Sequence, residues 1–153
     1  MVAALVAAAV SLSAPAAAET GVSGARTYSV AMTSIDGATT DRMGSWNARI
    51  AELSEGDPAV VEAFNHASRT SAQGQIDRAE IESNPGEQWK FESHGQVTFR
   101  SIAIGQLILG THYYGAHPTS YISTVVIDSR SADPIMLTNL FADEQAGLNR
   151  LSR

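Results

Sequence analysis

The chain has 153 residues, with 16 acidic against 10 basic side chains and a formal net charge of −6. That length allows one compact core of ordinary size, not two. The acidic balance, without any block of Lys or Arg, argues against nucleic acid and anionic lipid as partners. The absence of cysteine excludes disulfide scaffolds, thiolate zinc sites, iron–sulfur ligation and thiol catalysis.

Residues 2–12 form an apolar run of about the length of a signal-peptide core, followed by Pro15 and then Ala16-Ala17-Ala18. Small residues in that spacing form a cleavage pattern. Ser11, Ser13, Pro15 and Glu19 intervene too early for a spanning helix, which needs roughly 20 apolar residues. The expectation is export, cleavage before Glu19, and no membrane span in the mature chain. No Lys or Arg precedes Arg26, so the basic leader segment is missing, and Met1 is expected to be an internal start.

In the mature part, Arg26 to Ile35 alternates, with Tyr28, Val30 and Met32 on one face, and predicts a half-buried strand. Trp46, Ile50 and Leu53 recur at i, i+4, i+7 and predict a short helix that Ser45 caps. Asp57-Pro58 is a helix start, with Val60, Val61, Phe64 and Ala67 as its buried stripe. The polar stretch Ser68 to Asp77, which contains Gly74, predicts a break. Asn84-Pro85-Gly86 is a turn signal.

From Trp89 to Arg100 the odd positions read Trp, Phe, Ser, Gly, Val, Phe and the even ones Lys, Glu, His, Gln, Thr, Arg. Period two over that length means a strand with one wet face. Ile102 to Leu109 is apolar at both parities, as in a central strand covered on both sides. Tyr121 to Ile127 is a further strand, and Asp128 to Pro134 a polar turn. Thr138 and Asp143 are potential caps of helical turns, the second carrying Leu148 and Leu151. A strand, then helices, then consecutive strands with short connections imply an α+β fold, an antiparallel sheet packed against helices rather than alternating βαβ units.

Chemistry-bearing residues concentrate in the loop Gly110 to Ser120, which holds His112, Tyr113, Tyr114 and His117. His112 and His117 suggest a metal pair or a general base with its orienter, but no third ligand lies in the loop. A structural reading has Gly115 and Pro118 shaping a tight turn, with His117 bonded to its own backbone. A recognition loop is the third reading. Elsewhere there is no Gly-x-Ser-x-Gly elbow, no phosphate-cradling loop and no dinucleotide fingerprint. Glu80, Glu82 and Glu87 lie in a polar stretch and read as solvated surface. His66 and His94 read as surface residues of a helix and of a wet strand face. These residues name no catalytic set, no metal site and no cofactor.

The run Tyr113-Tyr114-Gly115-Ala116-His117-Pro118-Thr119-Ser120-Tyr121, then Ile127-Asp128 and Pro134 to Phe141, resembles the RsiV-like extracellular domain family. Its relatives include secreted mycobacterial antigens and an accessory domain of some peptidoglycan deacetylases. The resemblance covers roughly residues 85–151, and Asn47-Ala48-Arg49-Ile50 resembles the opening of a preceding helix in that family. It implies residues 1–18 as signal peptide and 19–153 as one domain, with the family's later strands not reached by Arg153. It also implies a secreted or cell-surface, non-catalytic binding module, with Tyr113, Tyr114, His117 and Tyr121 as candidate binding residues. The best-understood members bind lysozyme. The partner implied here is a protein or an envelope glycan. The alternative is a cell-wall-acting hydrolase or deacetylase using His112 and His117.

Overall fold

The structure, a computed structural model, describes residues 19–136 together with Asp143, Gln145, Asn149 and Arg150. The expected signal peptide, Thr138, Leu148, Leu151 and the run Leu137 to Phe141 lie outside the described residues. Six strands form one sheet in chain order: β1 Glu19–Ser23, β2 Arg26–Ala38, β3 Gly44–Ser54, β4 Trp89–Phe99, β5 Ala103–Tyr113 and β6 Thr119–Asp128. One helix, α1 Pro58–Ile81, connects β3 to β4. The molecule is α+β, with a mostly antiparallel, open sheet on a helix.

One pair departs from the expected antiparallel order. β3 and β4 run parallel from Gly44↔Trp89 to Arg49↔His94, with α1 as the crossover. A βαβ unit therefore sits in the middle of an otherwise antiparallel sheet. The helix expected around Trp46, Ile50 and Leu53 is absent, and those residues belong to β3. The reason lies in the burial pattern. Ala48 and Ile50 are buried at one parity, Ala51 and Leu53 at the other. Two stretches of period two, offset by one residue, mimic the i, i+4, i+7 spacing of a helix. The Asn47 to Ile50 segment is likewise strand, not the opening of a helix.

The offset coincides with a split in the sheet. β3 leaves β4 after Arg49↔His94, which strips the β4-side backbone groups of Ala51 and Leu53 of a strand partner. Two carboxamides replace it. Gln106 accepts from Ala51 N at 2.7 Å and donates to Ala51 O at 3.0 Å. Asn65 of α1 accepts from Leu53 N at 2.7 Å and donates to Leu53 O at 2.9 Å. Gln106 reaches Ala51 across Gly95, where a Cβ would lie 2.0 Å from its Oε1. Buried backbone groups need such partners.

Asp57 caps α1, accepting from Ala59 N at 3.0 Å, with Pro58 opening the helix. The helix runs through Ser68 to Asp77 without the expected break. Its buried stripe there is made of Ser68, Ala72, Gln75 and Ile76, and Ala79 continues it. Small residues let the helix lie close to the sheet, and that contact outweighs the roughly 1 kcal/mol that Gly74 costs. The concave face of the sheet wraps the helix in two clusters. Tyr28, Val30, Leu53, Ile104 and Ile127 surround Val60 and Phe64. Ile50, Trp89, Phe91, Ile108 and Tyr121 surround Ala72, Ile76 and Ala79. The curl brings β1 towards the β4–β5 turn, where Gly24 N donates to Ser101 O and Ser23 Oγ to Arg100 O.

β4 has the predicted register, with Trp89, Phe91, Ser93 and Gly95 buried and Lys90, His94, Gln96 and Thr98 exposed. β5 is fully covered on one face only: Ile104 and Ile108 are buried, while Leu107 on the other face is half-buried and Leu109 exposed. Beyond β6, Pro134 bridges Ile127 and Ile135 N donates to Val126 O. Gln145, Asn149 and Arg150 are helical.

Candidate binding site

The β5–β6 hairpin does not gather its four candidate residues into one constellation. Alternation along the strands sends Tyr113 to the convex face, where it is exposed, and turns His112 inward. Tyr114 is half-buried and Tyr121 buried on the helix side, while His117 lies exposed at the hairpin tip. The imidazole embedded in structure is therefore His112. The backbone-bonded role expected of His117 is not what the geometry gives that residue.

His112 sits in an aromatic box at the C-terminal end of α1. Tyr114 stacks on it at 5.6 Å between ring centroids, Trp89 meets it edge-on at 5.8 Å, and Tyr121 lies at 6.0 Å. Ser83 Oγ is 2.9 Å from its Nε2 and Tyr121 Oη 3.3 Å from its Nδ1. Ser83 also donates to Ala79 O at 2.7 Å. With the Ser83 proton given to Ala79 O and the Tyr121 proton given to Glu82, each hydroxyl is left to accept from the ring, and a neutral imidazole donates to only one of them. Tyr121 in turn donates to Glu82, which Arg78 pairs at 2.7 Å, and the Arg78 guanidinium lies 4.9 Å from the Tyr121 ring centre. Tyr114 donates to Glu87 and accepts from Asn84 N at 3.1 Å.

The electrostatics follow from these contacts. Burial lowers the His112 pKa, opposed in part by the Glu82 charge. Burial, then the hydrogen bond to Glu82, pushes Tyr121 up to about 12. The Tyr121 hydroxyl, then Arg78, holds Glu82 below the usual carboxylate range. At neutral pH the box holds a neutral imidazole, neutral phenols and an ionised carboxylate at its rim. Its polar groups bond one another, and Ser83 and Glu87 also border an open cleft. Glu82 and Glu87 are exposed, as the sequence suggests, and they also accept from Tyr121 and Tyr114 and so anchor the hairpin to the helix end. No signal in the sequence pairs them with tyrosines 27 and 39 residues away, because only the fold brings those groups together.

Among the described residues, no group of three or more His, Asp or Glu is placed to hold a metal ion. No described helix is long and apolar enough to cross a membrane. Open clefts surround the hairpin, among them one of about 340 Å3 lined by Tyr113, Tyr114, Gly115 and Pro118. Another, of about 380 Å3, runs between the β2–β3 turn and the Ser83 to Glu87 loop, with Trp89 at its floor. A third, of about 340 Å3, lies on the convex face between Arg49, His94, Leu109 and Tyr113.

No family model matches the chain, and no curated protein matches it. Solved structures do. A DUF3298 family member from Bacteroides fragilis is similar with a TM-score of 0.48 and 14% identity, covering 84% of this chain and 66% of that one. A DUF3298 family protein from Pseudomonas aeruginosa is similar with a TM-score of 0.46 and 15% identity, covering 80% of this chain and 62% of that one. The chain thus spans just under two thirds of the length of these two bacterial proteins.

Proposed function

We propose that the chain is an exported, non-catalytic binding module of the RsiV-like type, acting outside the cytoplasm on a protein or an envelope glycan. Residues 1–18 are its removable leader. The observation that carries the reading is the division of labour in the hairpin. His112, Tyr114 and Tyr121 engage Ser83, Glu87 and Glu82 and anchor the hairpin, while Tyr113 and His117 stand in solvent. A rigid base presenting exposed aromatic and imidazole groups suits recognition. It does not favour turnover at His112, because the Ser83 hydroxyl beside Nε2 gives its proton to Ala79 O and is not activated by the ring. The hydrolase alternative requires His112 and His117 to share an ion or a proton, and it has no supporting contact.

Isothermal titration of residues 19–153 with hen lysozyme and with soluble peptidoglycan fragments tests the reading. Saturable binding to one of them, weakened by Tyr113→Ala and His117→Ala with the fold intact, is the expected result. Hydrolysis or deacetylation of the fragments that is lost in His117→Ala would overturn it.

A further inference from the structure

The convex face of the sheet carries an ordered row that the hairpin reading does not use. Strand register places Ser34, Arg49, His94, Leu109 and Ile122 side by side across β2 to β6. At the usual interstrand spacing this row is about 19 Å long. One end is cationic and the other apolar, with Leu109 40% and Ile122 71% exposed. Tyr113, 44% exposed, lies two alternate positions along β5 from Leu109, with Thr111 between them.

The charges around the row are unequal. Lys90 pairs with Glu92, and Asn47 donates to Asp36. Arg69 takes Glu52 on the helix side. Arg49 makes no ion pair among the described residues, on a chain in which acids outnumber bases by 16 to 10. An unpaired guanidinium beside an imidazole, bordered by branched aliphatic side chains and a tyrosine, has the composition of an interface centre. Aliphatic Leu109 and Ile122 are poor stacking platforms for a sugar ring, and the net charge of −6 opposes an anionic bilayer. We propose that this row is the docking surface for an acidic protein segment, which sets a carboxylate on Arg49 and an apolar side chain between Leu109 and Ile122. The proposal rests on the binding-module reading and supplies its surface and partner class.

The test uses a short peptide alternating glutamate with leucine, its lysine–leucine counterpart, and amide NMR of residues 19–153. The acidic peptide is expected to bind about tenfold more tightly than the basic one, although the bulk charge of the protein favours the basic one. Its perturbations should centre on Arg49, His94, Leu109 and Ile122. Arg49→Glu should reverse the preference, and Ile122→Ser should weaken both peptides; both sites are exposed, and circular dichroism checks that the fold survives. Equal or tighter binding of the basic peptide would overturn the proposal. So would perturbations centred on other residues, or stronger ones at these residues from anionic vesicles or glycan fragments. Changes at these four residues on deleting residues 137–153 would make the chain's own tail the occupant and equally overturn it. Lysozyme or glycan binding through the hairpin without an acidic preference would leave the module reading standing and remove this one.

Discussion

At the scale of single residues, the largest energetic consequences sit on groups whose partners are distant in sequence. Gln106 is a polar residue in an apolar strand, and its carboxamide closes the split between β3 and β4. Gln106→Leu keeps the volume but leaves Ala51 N–H and C=O buried without partners, and should cost about 2–4 kcal/mol in urea unfolding. A cost below about 1 kcal/mol would mean that water or the backbone replaces the amide. Phe91, fully buried between α1 and Tyr121, should cost about 3–5 kcal/mol on change to Ala. Exposed Thr98 on the same strand should cost well under half of that, and equal losses would show that the register of β4 is wrong. His117→Ala should leave the unfolding midpoint nearly unchanged, since the residue is exposed at the hairpin tip. A clear loss of stability would show that it is embedded after all.

At the scale of elements, the β5–β6 hairpin is fastened to the end of α1 by a set of groups with a definite pH response. The His112 pKa is lowered by burial, so the folded state binds its proton less readily than the unfolded chain does. The corresponding stability is fully present above the unfolded value of about 6.5 and is lost as pH falls through the lower folded value. Urea midpoints should therefore drop between pH 7.5 and 5. His112→Phe, which keeps a ring against Tyr114, should show a shallower drop, and parallel profiles would rule His112 out as the cause. Tyr121 behaves in the opposite sense. Its pKa is raised to about 12, so its contribution holds below pH 10 and is lost as pH climbs through about 12. Absorbance at the phenolate band should show a step near pH 12 from Tyr121, in addition to the upward shift that the hydrogen bond to Glu87 gives Tyr114, and Tyr121→Phe should remove the step near 12. At the start of α1, Asp57→Ala removes the cap on Ala59 N and should cost about 1 kcal/mol.

At the scale of the molecule, a curled six-stranded sheet holds one long helix in its concavity and leaves its convex face bare among the described residues. The concave side is closed by apolar packing in two clusters. The exposed surfaces on which the two proposals rest are the hairpin tip and the convex row. N-terminal sequencing of exported material should begin at Glu19. Retention of any residue from 2–12 would sink the export reading.

Much of this was legible from residue order alone, where a signal is local. Period two with large apolar residues at one parity sets β4 whatever surrounds it, and Asp57-Pro58 starts a helix because capping and a fixed φ act within one turn. Long-range pairing decided the rest. Trp46 to Leu53 looked helical because a parity offset, created where β3 parts from β4, joined two alternating patterns into one false period. The stretch Ser68 to Asp77 looked broken because its buried face is small and polar, acceptable only where a sheet lies close enough to fill and satisfy it. The sequence marked the hairpin from Gly110 to Ser120 as the place where chemistry concentrates. Which histidine lies inside was decided by strand alternation together with the Ser83, Glu82 and Glu87 groups that α1 delivers. Local rules determine φ/ψ and the parity of a strand, but only tertiary structure decides which partner stands opposite a polar side chain, because that distance is set by chain segments far apart in sequence.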